Sequence, residues 1–236
     1  RRVLFRSEAI NNLGNPAALI GHSLGEYTAL CLSGYLDYKD ALKVIAVRGE
    51  EMHKAVENSN TTMAAVLTGD LEATIEEIEK LNNQGIQIWI SNFNDPSQIV
   101  ISSYIDDMNY LKSNPKALGA KRVIPLEVAG AFHTEIVSSA KKPLEDTLNS
   151  IDISEGKIPV YMNVDAKKVE VSTLKESLVN QIDNSVLFNQ QIEFVNNDID
   201  PDLWCHIGPG NVTAGMVRKS ISYKDLKVIN SLESSK

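Results

Sequence analysis

The chain has 236 residues, 43% of them hydrophobic, and a formal net charge of −8. That is enough for one substantial core with a smaller satellite domain, yet no run approaches the ~20 apolar residues that span a bilayer, and the opening residues give an expectation of secretion no support. An acidic balance without a basic aromatic stripe argues against nucleic acid, Cys31 and Cys205 are too few for a disulfide framework and suit a reducing cytoplasm, and the lack of a CxxC pair, an HExxH or a tight His/Asp cluster leaves a metal site without support.

Residues 1–12 are polar and mixed and predict no element. Ala17-Ala18-Leu19-Ile20, bounded by Pro16 and Gly21, reads as a buried strand. Gly21-His22-Ser23-Leu24-Gly25 follows, and Leu24 to Leu32 then carries apolar residues at helical spacing up to the stop at Gly34. Strand, tight turn and helix form the context of a nucleophile elbow around G-x-S-x-G. There Ser23 is lifted clear of the sheet, and the helix start aims its free N–H groups at an anion, most directly that of Leu24. This strand arrives after only sixteen residues in a chain that opens on Arg1, so an N-terminal truncation is expected. Tyr38 to Val56 predicts a second helix, on which Ala41, Ile45, Arg48 and Met52 share one stripe. An arginine on an apolar stripe calls for a planar anion partner. A structural ion pair with Glu26 or Glu50 is the competing reading.

After the polar break at 57–60 the pattern changes. Strands are predicted at 63–67, 86–92, 98–102 and 121–128, with helices at 72–81 and 105–118 and a turn at Asn94-Asp95-Pro96-Ser97. The order βαββαβ predicts a ferredoxin-like subdomain over 60–127. It is inserted into an α/β-hydrolase-like core with a parallel sheet, formed by 1–59 and 128–236. In the second core segment a helix is predicted from His133 to Asn149 and a strand at 159–164. Helices at 171–181 and 187–195, a strand at 203–207, a helix at 211–221 and a last strand at 227–230 complete the pattern.

A serine nucleophile needs a base, and four histidines are available. His22 adjoins Ser23 across a sharp turn and points away from it. His53 lies on a charged helix face and His206 sits within a strand. His133 follows Gly130-Ala131-Phe132 at the end of an apolar strand, where loops carry function, and is the predicted base. No carboxylate stands out as the third member of a triad, so a dyad is expected, with a neutral acceptor orienting the imidazole.

Five stretches occur in the order of one family: Gly21-His22-Ser23-Leu24-Gly25-Glu26-Tyr27, Val47-Arg48-Gly49, the segment from Asn92-Phe93-Asn94 to Ser102, Gly130-Ala131-Phe132-His133, and Ile207-Gly208-Pro209-Gly210-Asn211. From about residue 15 to 222 the sequence resembles the malonyl-CoA:acyl-carrier-protein transacylases and the acyltransferases of polyketide synthases. The resemblance implies that Ser23 is acylated, His133 is its base, Leu24 donates to the oxyanion, and Arg48 holds the malonyl carboxylate. It aligns Gln181 with a glutamine whose backbone carbonyl orients the histidine, although Ser185 stands where a proline is common. Phe132, Asn94 and His22 join Arg48 as substrate-binding residues. Phe132 is expected to crowd the α-carbon of the acyl group, while hairpin capping is an equal reading for Asn92 and Asn94. The family's N-terminal glycine-glutamine-glycine loop has no match in residues 1–16.

The resemblance thus implies ping-pong transfer of malonyl from coenzyme A to an acyl carrier protein, in fatty-acid or polyketide synthesis. It implies no metal or redox cofactor, no nucleic acid and no membrane, and a chain that works as a monomer or as part of a synthase. The rivals are a serine hydrolase or thioesterase, which has no use for Arg48, and a non-catalytic acyltransferase-like module. Carrier docking on an acidic chain requires a local basic patch, for which Lys121, Arg122, Lys141, Lys142, Arg218 and Lys219 are candidates.

Overall fold

The computed structural model describes residues 8–10 and 12–231. The ends of the expected core, at 1–7 and 232–236, lie outside them. Residues 8–10 and 12–13 are helical, where no element was predicted. Ala9 is fully buried there, a packing contact that the polar composition of the stretch does not advertise.

Leu19 pairs in parallel with Val160, its N–H reaching Pro159 O at 2.9 Å. The expected strands 17–20 and 159–164 contract to this bridge and an antiparallel one between Tyr161 and Lys168. The chain folds back after Tyr161 through Ala166, at φ 59°, and the Met162 N–H donates to Lys167 O and the Val169 N–H to Val160 O within this local turn rather than along a longer strand.

Helix α1 (Leu24–Ser33) ends at Gly34, whose φ of 90° favours glycine. Helix α2 (Tyr38–Val56) is capped by Asp37, which accepts from the Lys39 N–H at 2.8 Å. Its buried stripe is Ala41, Val44, Arg48, Met52 and Val56. The next elements are β1 (Thr61–Leu67), α3 (Leu71–Asn83), β2 (Ile88–Asp95), β3 (Gln98–Tyr104), α4 (Ile105–Ser113) and β4 (Arg122–Pro125). The strands form one antiparallel sheet in the order β2-β3-β1-β4, with Ala64 of β1 facing Ile101 of β3 and Pro125 of β4.

Two predicted elements here are too long. Helix α4 stops at Ser113, and Pro115–Leu118 forms a separate 3-10 turn. Pro115 has no N–H and would clash with the preceding turn, and it pushes Asn114 out of the helical region to φ −128°, ψ 58°. Strand β4 likewise ends at Pro125, which has no ladder donor.

Beyond the sheet lie α5 (Lys141–Asn149), α6 (Leu174–Asn180), α7 (Phe188–Ile199), β5 (Leu203–Ile207), α8 (Val212–Ser220) and β6 (Asp225–Ile229). Strands β5 and β6 pair in parallel, with α8 as their crossover. The single helix predicted after His133 is instead a 3-10 turn, Glu135–Ala140, followed by α5. Pro143 lacks the N–H that a helix interior needs and fits only in the first turn of α5.

A first apolar cluster joins α1, α2, α5 and α6 through Tyr27, Leu30, Val44, Leu144 and Leu178, and a second lies between the four-stranded sheet and α3 and α4. A third, smaller one joins α7 and α8 through Phe188, Ile192 and Val217. The four-stranded sheet is tied to the rest through Val186, whose O accepts from Phe93 N–H and whose N–H donates to Ser91 O, both at 2.9 Å. That tie sets β2 beside the elbow.

Candidate active site

Ser23 stands between the Leu19 bridge and α1 with φ 50° and ψ −109°, a conformation that costs a non-glycine residue energy. Its neighbours allow the turn. A Cβ on Gly21 would lie 2.1 Å from the backbone carbon of Gly25, so only glycine admits this approach. Asn163, fully buried, clamps the turn from the far side: its Oδ1 accepts from Ser23 N–H and its Nδ2 donates to Gly21 O, both at 2.7 Å. Leu24 opens α1, so its N–H is one of the first-turn donors that have no helical acceptor.

His133, also at positive φ (60°), places Nε2 2.8 Å from Ser23 Oγ, and its Nδ1 lies 2.8 Å from Gln181 O. A carbonyl only accepts, so Nδ1 carries the proton and Nε2 is left to take the serine's. Burial, and then the Arg48 guanidinium, push the His133 pKa down to about 3. The imidazole is therefore neutral throughout the physiological range.

Arg48 reaches the same serine from α2. Its Nη2 donates to Ser23 Oγ at 2.9 Å and to Gln181 Oε1 at 3.0 Å, and the guanidinium lies 5.5 Å from the centre of the Tyr27 ring. It is 7% exposed, and its Nε is buried without a partner among the described residues. The competing ion pairs do not form. Glu50 pairs with Lys54 at 2.7 Å, and the Glu26 carboxyl is taken up by the Asn163 N–H and Gln181 Nε2, each at 2.5 Å. Burial raises the Glu26 pKa to about 8 against these donors and Arg48. Both carboxyl oxygens nonetheless receive N–H donors, an arrangement that fits the ionised form.

Ser23, His133, Gln181 and Arg48 thus converge. His22 lies close enough to help burial and Arg48 lower the His133 pKa but turns its ring elsewhere. Its Nε2 lies 2.9 Å from Asn94 Oδ1 of β2 and its ring meets Phe188 edge-on, so the pair joins the elbow to the four-stranded sheet. Asn94 also donates to Gln98 Oε1 at 3.0 Å. Phe132, next to His133, is half-buried and packs against the first apolar cluster. His53 is exposed, and His206 Nδ1 lies 2.6 Å from Thr213 Oγ1, away from Ser23. Sequence reasoning missed Asn163 and offered Glu26 only as an ion-pair partner of Arg48. Glu26 carried a signal, a carboxylate in an otherwise apolar first helical turn. Asn163 carried only its place at the end of an apolar run.

The acyl transferase domain family model matches residues 9–233. The chain belongs to the acyl transferase domain family. It is 38% identical to the malonyl CoA-acyl carrier protein transacylase of Bacillus subtilis over 205 residues, which is 86% of this chain and 64% of that relative's own length. It is 34% identical to a protein of the same name from Staphylococcus aureus (strain MRSA252), over 97% of this chain and 74% of the relative. Among solved structures it superposes with a TM-score of 0.90 and 28% identity on PlMCAT:AntF, described as a type II PKS acyl-carrier protein in complex with its malonyl-transacylase. That match covers 99% of this chain and 76% of that one. The Ser23–His133 contact lies within the residues that this family model matches. Among the described residues no three His, Cys, Asp or Glu side chains gather as a metal site requires, and no helix is long and apolar enough to cross a membrane.

Proposed function

We propose that this chain transfers malonyl from malonyl-CoA to the phosphopantetheine thiol of an acyl carrier protein, by a ping-pong route through an acyl-Ser23 intermediate. The observation that carries the reading is Arg48, a buried guanidinium that bonds the nucleophile's oxygen and has no carboxylate partner among the described residues. A buried cation with no carboxylate in direct contact is costly to keep, and a bidentate anionic substrate relieves it. A hydrolase of neutral esters gains nothing from it.

In this mechanism neutral His133 Nε2 takes the Ser23 proton as Oγ attacks the thioester carbonyl, and Gln181 O stabilises the imidazolium that forms. The tetrahedral oxyanion is held by the Leu24 N–H at the start of α1. His133 returns its proton to the departing CoA thiolate. The carrier thiol then gives its proton to His133 and attacks the acyl-serine, and His133 passes that proton to the departing Oγ, which regenerates Ser23 and the neutral imidazole. The route needs no metal or redox cofactor.

The same reading covers the finer architecture. The βαββαβ order with sheet order β2-β3-β1-β4 supports a ferredoxin-like subdomain over 60–127. The elbow and the parallel β5-α8-β6 unit support an α/β-hydrolase-like core over 1–59 and 128–236. We place the protein in the cytoplasm, as a monomer or part of a synthase, in fatty-acid or polyketide synthesis. Of the basic side chains considered for carrier docking, Lys141, Lys142 and Lys219 are paired with Asp183, Asp146 and Asp95. Lys121, Arg122 and Arg218 are exposed and are the ones we assign to the carrier.

Intact-mass measurement after incubation with malonyl-CoA tests the reading. One malonyl group should appear on the full chain and be missing from Ser23→Ala. A full-length chain that gains no malonyl group would overturn it.

A further inference from the structure

Behind the reacting groups lies a chain of contacts that the transfer mechanism does not use. Glu26 Oε1 accepts from the Asn163 backbone N–H, and Glu26 Oε2 accepts from Gln181 Nε2. The same Gln181 amide turns its Oε1 to Arg48 Nη2 at 3.0 Å and gives a second Nε2 bond to Ser23 O at 3.2 Å. An amide has one donor end and one acceptor end, so its direction is settled by what faces it. Arg48 only donates. Glu26 only accepts when ionised. Both demands are met in one orientation, and Glu26 and Gln181 are fully buried, so water cannot relieve a mismatch.

The geometry points to Glu26 as a positioning residue: its carboxylate fixes the direction of the Gln181 amide, and that amide holds Arg48 at the nucleophile, ready for an anionic acyl group. Glu26 touches neither Ser23 Oγ nor His133. It acts through Gln181, and the effect falls on anion selectivity rather than on the base, because His133 is held by the Gln181 backbone carbonyl, which does not depend on the amide's direction. This inference rests on the malonyl reading for its substrate and on the hydrogen bonds alone for the relay.

Glu26→Gln is nearly isosteric and reverses one contact. The Asn163 N–H cannot turn, so the new amide keeps its oxygen there and sets its NH₂ against Gln181 Nε2. Gln181 must then rotate, which brings its own NH₂ against Arg48 and displaces the guanidinium. Assays are run at pH 8.5, above the value of about 8 to which burial raises Glu26, so that the ionised form predominates.

The full chain is compared as wild type, Glu26→Gln, Gln181→Met and the double variant, each loaded from malonyl-CoA and from acetyl-CoA. Glu26→Gln should raise the KM for malonyl-CoA about 10- to 100-fold, the range expected when a hydrogen bond to a charged group is lost. Acetyl loading should change by no more than about twofold. Gln181→Met, which also takes the acceptor from Arg48, should reproduce the selectivity loss, and adding Glu26→Gln to it should cost nothing further. Additive effects, or malonyl and acetyl loading falling together, would overturn the relay. If Glu26→Gln does not fold, an unchanged malonyl preference in Gln181→Met overturns it alone. A crystal structure of Glu26→Gln gives a readout independent of turnover: Arg48 should leave Ser23 Oγ, and a guanidinium that stays in place contradicts the inference. Should wild type take no malonyl at all, the substrate reading fails and this structural readout still decides the relay.

Discussion

Arg48→Ala is the most informative single change. The guanidinium is 7% exposed and already gives hydrogen bonds to Ser23 Oγ and Gln181 Oε1. When a malonyl carboxylate arrives it gains two charge-assisted bonds, each worth ~1.5–3 kcal/mol. Desolvating that carboxylate offsets part of the gain. A net loss of about 3 kcal/mol corresponds to roughly a 100-fold fall in kcat/KM for malonyl-CoA. Acetyl-CoA, with no carboxylate, should be nearly unaffected, so the malonyl-over-acetyl ratio carries the signal. Arg48→Lys should fall between, since it keeps the charge but not the fork. A second readout is independent of the first. The positive charge of Arg48 is one of the causes, after burial, that hold His133 below its ordinary pKa. In Arg48→Ala the acid limb of the loading rate should therefore move to higher pH. The assay is single-turnover acylation from each thioester between pH 2.5 and 8. An unchanged acyl preference together with an unmoved acid limb would refute the placement of Arg48.

Three further outcomes follow from the same geometry. Gly21→Ala should fail to fold or lose the elbow, since its Cβ would meet the Gly25 and Glu26 backbone, whereas Gly25→Ala, with nothing within 4 Å, should remain folded; circular dichroism and soluble yield separate the two, and equal behaviour contradicts the elbow packing. Asn163→Ala removes partners from Ser23 N–H and Gly21 O and should lower stability by about 2–4 kcal/mol; a thermal midpoint within a degree or two of wild type would show the clamp to be unimportant. The folded pKa of His133, about 3, lies below its ordinary 6.5, so the folded state binds fewer protons, and this contribution to stability is present above pH 6.5 and lost as pH falls towards 3. Glu26, raised to about 8, contributes with the opposite sign, stabilising below pH 4.5 and less as pH rises towards 8. His133→Gln should accordingly lose less stability than wild type between pH 6.5 and 4.5, and parallel melting curves for the two would contradict the burial of a neutral imidazole.

Much of the site was legible because its signals are local. Gly21 marks a close approach that only glycine admits, and Arg48 announced itself as a cation on an apolar stripe. The ends of α1 and α2 follow from Gly34 and Asp37. The errors fall where local pattern meets proline or long-range pairing. Apolar spacing carried one predicted helix through Pro115 and merged another across the 3-10 turn before Pro143. The strand at 159–164 looked continuous, but the chain turns back through Ala166. Glu26 and Asn163 are 137 positions apart in the chain. A buried carboxylate that accepts from the backbone N–H of a distant asparagine looks, in sequence, like an ordinary helix start and an ordinary strand end.

The central claim is that Ser23 passes an anionic acyl group to a thiol rather than to water. The most direct measurement loads the full chain with labelled malonyl-CoA, removes free thioester, and adds a phosphopantetheinyl acyl carrier protein under rapid quench. The label should leave Ser23 at a rate that saturates with carrier and should be recovered on the carrier thiol. Label that leaves at the same rate without carrier, as free malonate, would contradict the account.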